Sequence, residues 1–493
     1  LPPEFIGCNI KEMKKANRIF SGLFSMINIF YCGMRALGNE QSPEAGNRAR
    51  NLGFHSAPIK LFFPVEKLIL ENGLTVLLHE DHSVPMISYH TWYKVGSKDE
   101  SEGVTGAAHM LEHMMFKGAK DYSGSDFDKI LHLNGMSNNA FTTNDYTGFY
   151  QELPPNKLEL MMKIEVDRMS NLALKSEDLL SEKEVVKEER RWRIDNNPMG
   201  QLNETMMENL FKVSRYHWPV IGYMKDIEDY DSAKLRHFYD TYYGPNNAIL
   251  VLVGDFQVSQ VKPLLAKYYG SLKPKHFEER PWIEEILLKQ QKKVKLKKNV
   301  ETSTLAISFG APKVGDEDSF ALDLAANVLA AGSSSRLHRE FVVNKSLATM
   351  AFANNWTLKH QGVFFLGGSF KPGITVGTQV LAAFKEEINK LKIKRLSQEE
   401  LDKAKTMVIK EHVDGLTTID GKARALAINE ILTGDFNNLF NDLEKYHKIS
   451  PENVQAAVKK YLNFENSSIV ILEPLKTPSF VKKTKLDQEI GGP

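Results

Sequence analysis

The chain has 493 residues, 42% of them apolar and 25% charged, with 63 Lys and Arg set against 62 Asp and Glu. That length exceeds one ordinary core and calls for two or more domains. The composition excludes a disordered or wholly membrane-embedded chain, and the balanced charge excludes a global field drawing it to nucleic acid or an anionic surface.

The N-terminal stretch differs from the rest. Lys14, Lys15 and Arg18 follow Met13, the uncharged run Ile19–Met34 comes next, and Ala36-Leu37-Gly38 supplies small residues for cleavage. This is the pattern of a secretory signal. Residues 1–38 are therefore read as an upstream extension plus signal peptide, with a retained anchor as the alternative. Cleavage would leave no stable membrane span and an exported protein, periplasmic if the source is a Gram-negative bacterium. Cys8 and Cys32 both fall in this leader, so the stability of the mature chain rests on its core and not on disulfides.

Residues 39–62 are polar, carry Gly, Pro and Asn, and read as a linker. Leu68–Leu70, Asn72-Gly73 and Leu74–Leu78 predict a strand, a tight turn and a second strand, and Ile87–Val95 a third. A helix is expected from about Gly106 and a further strand around Asn139–Tyr150. Helical periodicity then runs over Pro155–Leu172 and Ser176–Ile194. A repeat follows. Asp231–Tyr243 is helical and leads through Asn246-Asn247 into the apolar strand Ala248–Val253; Pro451–Tyr461 leads through Asn463–Asn466 into Ser467–Leu472. Val294–Phe309 likewise resembles the opening strands. The expected fold class is α+β, two related domains of about 200 residues each, every one a mainly antiparallel sheet with packed helices. Their boundaries are set at 63–275 and 291–476, with a linker at 276–290 and a tail at 477–493. The basic run Lys289–Lys298 alternates with Val294 and Leu296, which reads as a solvated strand face and not as a polyanion site.

Chemistry concentrates in Gly106-Ala107-Ala108-His109-Met110-Leu111-Glu112-His113. On a helix, positions i, i+3 and i+4 share a face, so His109, Glu112 and His113 project together. Two imidazoles one turn apart grip a metal ion, and the Glu beside them is a natural general base; the order H-x-x-E-H is the inverse of the commoner H-E-x-x-H. Two imidazoles plus a carboxylate would leave an open zinc position for water. The third ligand is sought among Glu182, Glu188 and Glu189 on the charged helix Ser181–Arg190, and helix geometry alone does not choose among them. Glu182 and Glu189, two turns apart on one face, suit one ligand and one supporting residue.

From about residue 65 to 475 the sequence resembles the pitrilysin/insulinase family of zinc peptidases, which includes mitochondrial processing peptidase. The resemblance rests on Gly96–Glu100, Thr105–Gly118, Asn138–Thr143, Asp145–Thr147, Asp167–Met169, Glu182–Glu189 and Tyr242–Ala248. It implies one zinc ion (Zn2+) per chain held by His109, His113 and Glu189, with Glu112 as catalytic base and Glu182 as a supporting glutamate on the helix of Glu189. It also implies Asn139 and Ala140 on an edge strand that pairs with a peptide substrate, a role that main-chain bonding can fill whatever the peptide's sequence. One departure stands out. Members that complete their site within one chain carry an Arg and, seven residues on, a Tyr after a Ser-Arg-Leu motif; here Ser335-Arg336-Leu337 is followed by Val342 and Thr349. The implied protein is the metal-bearing catalytic subunit of a two-chain endopeptidase whose related partner supplies the Arg/Tyr pair, with a homodimer as the other possibility. A non-catalytic assembly or substrate-holding subunit of the same fold is the competing expectation.

Overall fold

The computed structural model describes residues 61–276, 281–285 and 288–475. The expected leader with its two cysteines, the linker up to residue 60, part of 276–290 and the tail from 477 lie outside the described residues. Among those described, no helix is long and apolar enough to cross a membrane.

Two sheets organise the chain. The first has six strands: β1 (Glu66–Ile69), β2 (Thr75–Glu80), β3 (Ile87–Tyr93), β4 (Ser137–Thr142), β5 (Thr147–Leu153) and β6 (Ala248–Gly254). Their order is β1-β2-β6-β3-β5-β4. The second has five: β7 (Lys292–Lys298), β8 (Ser303–Ala311), β9 (Ala348–Trp356), β10 (Gly362–Phe370) and β11 (Ser467–Pro474). Their order is β7-β11-β8-β10-β9. All pairings are antiparallel except β2 with β6 and β7 with β11. The repeat seen in the sequence is thus a topological one: β6 lies parallel to β2 and antiparallel to β3, and β11 lies parallel to β7 and antiparallel to β8.

The expected Asn72-Gly73 turn closes with Leu70 N donating to Leu74 O at 2.9 Å, and Gly73 takes φ 86°. The single strand expected over Asn139–Tyr150 is instead the hairpin β4–β5. Thr143-Asn144-Asp145-Tyr146 breaks it: the Thr143 hydroxyl accepts from the amides of Asp145 and Tyr146, a local turn bond that competes with extended pairing.

The helices of the first half are α1 (Ala107–Met114), α2 (Gly124–Leu133), α3 (Leu158–Ser170), α4 (Ser176–Arg190), α5 (Pro198–Leu210), α6 (Met224–Asp229), α7 (Ser232–Tyr242) and α8 (Val258–Tyr269). Those of the second are α9 (Glu317–Ala330), α10 (Leu381–Ile393), α11 (Gln398–Gly415), α12 (Ile419–Thr433), α13 (Asn438–Lys448) and α14 (Pro451–Tyr461). One core joins Val76, Tyr89 and Leu250 to Leu111 of α1, Met161 of α3 and Tyr239 of α7. A second joins Leu305 and Ile307 to Leu322 of α9, Phe384 of α10 and Val458 of α14.

Two helices leave their own half. On the opposite face of the first sheet, Leu77, Trp92, Ile249, Val251 and Val253 are covered by Ala423, Leu426 and Ile431 of α12. Reciprocally, Leu202, Met206 and Leu210 of α5 cover Ala306, Val363, Val470 and Leu472 of the second sheet. The strands of the first sheet run between residues 66 and 254 and those of the second between 292 and 474; these two helices are exchanged between them. This explains why β6, AILVLVG, shows no apolar–polar alternation: all seven residues are buried because both faces are covered. The edge strand β7 alternates instead, with Lys293, Lys295 and Lys297 exposed, the charged side chains that keep a sheet edge from pairing with other chains.

Candidate metal centre

The helix carrying His109 begins where two buried carboxylates anchor it. Glu100 accepts the amides of Gly106 (2.7 Å) and Ala108 (2.9 Å), and Asp226 accepts Thr105 N (3.0 Å) and its hydroxyl (2.6 Å). These bonds satisfy N–H groups at the helix start that have no partner within the helix. Gly106 is required there: its φ is 84°, and a Cβ would lie 2.4 Å from Ile221 O. Glu100 belongs to the motif run Gly96–Glu100, but its anchoring role was not legible; a carboxylate seven residues before the first helical residue carries no capping signature.

Helix α4 turns a buried face of Leu179, Glu182, Val186 and Arg190 toward α1. Its end is pinned by Arg190, which donates to Gly222 O at 2.7 Å and pairs with Glu204 at 2.9 Å. A π-helical turn, Arg191–Asp195, follows.

The two helices bring three of the sequence-predicted residues together. Ligand atoms of His109, His113 and Glu189 all lie within 4.8 Å of one another. His109 Nε2 is 3.8 Å from Glu189 Oε1, and His113 Nε2 is 3.3 Å from Glu189 Oε2. Bonds of about 2.0–2.2 Å from one tetrahedral centre put ligand atoms roughly 3.3 Å apart, so the donor set fits a single zinc ion. Nε2 of His109 is the ring nitrogen that faces Glu189, while Nδ1 is buried without a hydrogen-bond partner. Glu188, the third carboxylate considered, pairs outward with Arg191 and joins no cluster.

Around this set each charge has a stated neighbour. Glu182 accepts from His113 Nδ1 at 2.8 Å and pairs with Lys117. Burial alone would lower the pKa of His113, yet Glu182 and Glu189 push it up to about 10. Burial brings His109 down to about 3, partly opposed by Glu189. Burial raises Glu189, but His109, His113 and Arg193 outweigh it and hold the carboxyl below its usual range. Arg193 touches Glu189 Oε1 at 2.8 Å, an i,i+4 pair carried by the π turn that the sequence did not reveal. Burial raises the carboxyl of Glu112, opposed by His113 and Thr142, and Thr142 Oγ1 donates to Glu112 Oε2 at 2.6 Å. Asn139 and Ala140 lie in β4, the edge of the first sheet, which pairs on one side only, with β5. Asp167 and Arg168 are engaged away from the cluster: Asp167 accepts Asp121 N and Asn171 Nδ2, while Arg168 pairs with Glu165.

The second half brings no donor from the two variant positions. Val342 packs against the second core, and the Thr349 hydroxyl donates to Ser369 O at 3.2 Å. Arg336 pairs with Glu400 at 2.8 and 2.9 Å.

Two sheet-and-helix halves with a His/His/Glu donor set on paired helices define the class of two-domain zinc proteases. Comparison with known proteins agrees. The family described as Insulinase (Peptidase family M16) matches residues 75–222, and the one described as Peptidase M16 inactive domain matches residues 229–408. The chain is 31% identical over 422 residues to the zinc protease PqqE of Helicobacter pylori, covering 83% of this chain and 93% of that one. It is 22% identical to the uncharacterized zinc protease YmxG of Bacillus subtilis, over 83% of this chain and 98% of that one. Among solved structures, a protease from Helicobacter pylori superposes with a TM-score of 0.80 at 30% identity, covering 84% of this chain and 100% of that one. The chain belongs to the insulinase family, peptidase family M16.

Proposed function

We propose that this chain is a zinc-dependent endopeptidase that acts on peptides or unfolded segments in an exported compartment, as the metal-bearing subunit of a two-chain enzyme. The observation that carries this reading is the convergence of His109, His113 and Glu189, with Glu112 one turn away along the same helix face. Zinc held by these three residues would supply a Lewis acid that acidifies a water and polarises the scissile carbonyl.

The rest is work for the chain's own side chains. Glu112 takes the proton from the attacking water and passes it to the leaving amine; burial, which raises its pKa, brings it nearer the working pH of a general base. Glu182 fixes the ring of His113 through Nδ1, which keeps Nε2 aimed into the cluster. The edge of β4 at Asn139 and Ala140 accepts the peptide as an added strand, giving main-chain affinity with little sequence preference. Neither Val342 nor Thr349 offers a donor to the polarised carbonyl, which supports a related subunit, or a second copy, supplying one.

The test is metal analysis with turnover of an internally quenched peptide, for the chain alone and with its partner. We expect one zinc per chain, and a Glu112→Gln variant that keeps the metal but loses hydrolysis by at least about 100-fold. A Glu112→Gln variant that cleaves like the unaltered chain would overturn the peptidase reading. Full activity of a demonstrated monomer would overturn the two-chain assembly alone.

A further inference from the structure

The strand expected to receive substrate also holds the base. Side chains of β4 alternate between faces: Ala140 belongs to the core beneath α1, whereas Phe141 packs with Trp92 on the face covered by α12. Thr142 falls on the Ala140 side, and its hydroxyl meets Glu112 Oε2 at 2.6 Å. We propose that Thr142 is a positioning residue: it anchors one oxygen of the Glu112 carboxylate beside the His109/His113/Glu189 cluster, so that the other carries the proton. This rests on the peptidase reading above.

Threonine suits the task for two reasons. Its β-branch leaves χ1 little freedom, and its hydroxyl sits one bond from Cβ, so the anchor moves only if the backbone does. That backbone is clamped just beyond Thr142. Ser97 N donates to Thr143 O at 3.1 Å and Lys98 N to Asn144 O at 3.0 Å, a fit so close that a Cβ on Gly96 would lie 2.5 Å from Thr143 O. From the other side the buried Asp145 carboxylate accepts the Tyr216 hydroxyl at 2.6 Å and the amide of Lys359, in the second half, at 3.0 Å. A peptide adding to β4 would therefore be placed by the same six residues that fix the base, so bond and base share one rigid reference.

The test compares Thr142→Val, which keeps shape and removes the hydroxyl, with Thr142→Ser, which keeps the hydroxyl, in the zinc-loaded assembled enzyme. We expect Thr142→Val to lower kcat about 10- to 100-fold, the equivalent of one hydrogen bond to a charged group. KM should stay within about twofold, since ground-state binding is untouched, and Thr142→Ser should recover most of the loss. Zinc content and affinity for a non-hydrolysable peptide should match the unaltered protein in both. Unchanged kcat in Thr142→Val, or an equal loss in Thr142→Ser, overturns the proposal. If Thr142→Val does not fold, Thr142→Ala takes its place with the same expected loss. Crystal structures separate this proposal from the peptidase reading: Glu112 leaves its position in Thr142→Val if the anchor is real and stays if it is not, whether or not the unaltered chain cleaves peptide.

Discussion

Leu426→Ala tests the helix exchange at its centre. Leu426 lies in α12, late in the sequence, has no exposed surface and belongs to one cluster with Trp92, Ile249 and Val251 of the first sheet. Removing a fully buried Leu side chain costs about 2–5 kcal/mol, the transfer of its carbons plus the cavity they leave. A cooperative unit is stable by only about 5–15 kcal/mol, so the loss is large. Its location is the discriminating part. If α12 is a structural member of the first sheet, amide-exchange protection should fall in β3 and β6, far away in sequence. Urea unfolding should also remain one transition at a lower midpoint. The converse variant, Leu202→Ala in α5, should lower protection in β8 and β11. Loss confined to residues 291–476 in Leu426→Ala, with β3 and β6 as protected as before, would refute the exchange.

Three further outcomes follow from the geometry. Glu182→Gln removes the charge that His113 Nδ1 and Lys117 meet, so zinc affinity should drop about 10- to 100-fold in chelator competition; an unchanged affinity counts against the support role. Gly106→Ala forces a Cβ into Ile221 O at φ 84°, which should cost about 1–3 kcal/mol and be read as a lower Tm; a Tm like that of the unaltered protein would show that this helix start is not constrained. Asp323 accepts from Tyr446 and Asn355, and burial raises its pKa to about 6 from 3.8. The folded state thus binds this proton more tightly than the unfolded one. The stability it contributes is complete below about pH 3.8 and is lost as pH rises through about 6, at most about 3 kcal/mol. Asp323→Asn should remove that part of the pH dependence of the urea midpoint; an identical dependence would refute the assignment.

The metal cluster was legible because its spacing is local: His109, Glu112 and His113 share a face by helical period alone. Glu189 was narrowed to one of three carboxylates and chosen by resemblance, since nothing in a helix's own sequence says which face meets another helix. Asp226 and Thr142 were not assigned their contacts for the same reason, as each acts across a tertiary approach, whereas Glu100 and Arg193 act locally through a loop and a π turn whose shapes the sequence does not announce. The exchange of α5 and α12 left only an indirect trace, the unbroken apolar run of β6, which announces two covered faces without naming the cover. The β4–β5 turn was missed because Thr142-Thr143 reads as strand by propensity, while the hydroxyl bonds that bend the chain there depend on the residues that follow.

Every residue assigned to the proposed chemistry lies in the first half, yet that half is not separable from the second. Without α12 the outward face of its sheet would expose Leu77, Trp92, Ile249, Val251 and Val253, all now buried, an apolar patch that a soluble fold does not leave open. The second half also reaches the hairpin that carries Thr142, through the Lys359 amide bound to Asp145. Val342 and Thr349 face their own core and a neighbouring carbonyl, and what the second half gives the first is cover and support. The packing of α12 against the first sheet and the Asp145 tie are therefore the contacts that couple the second half to the site.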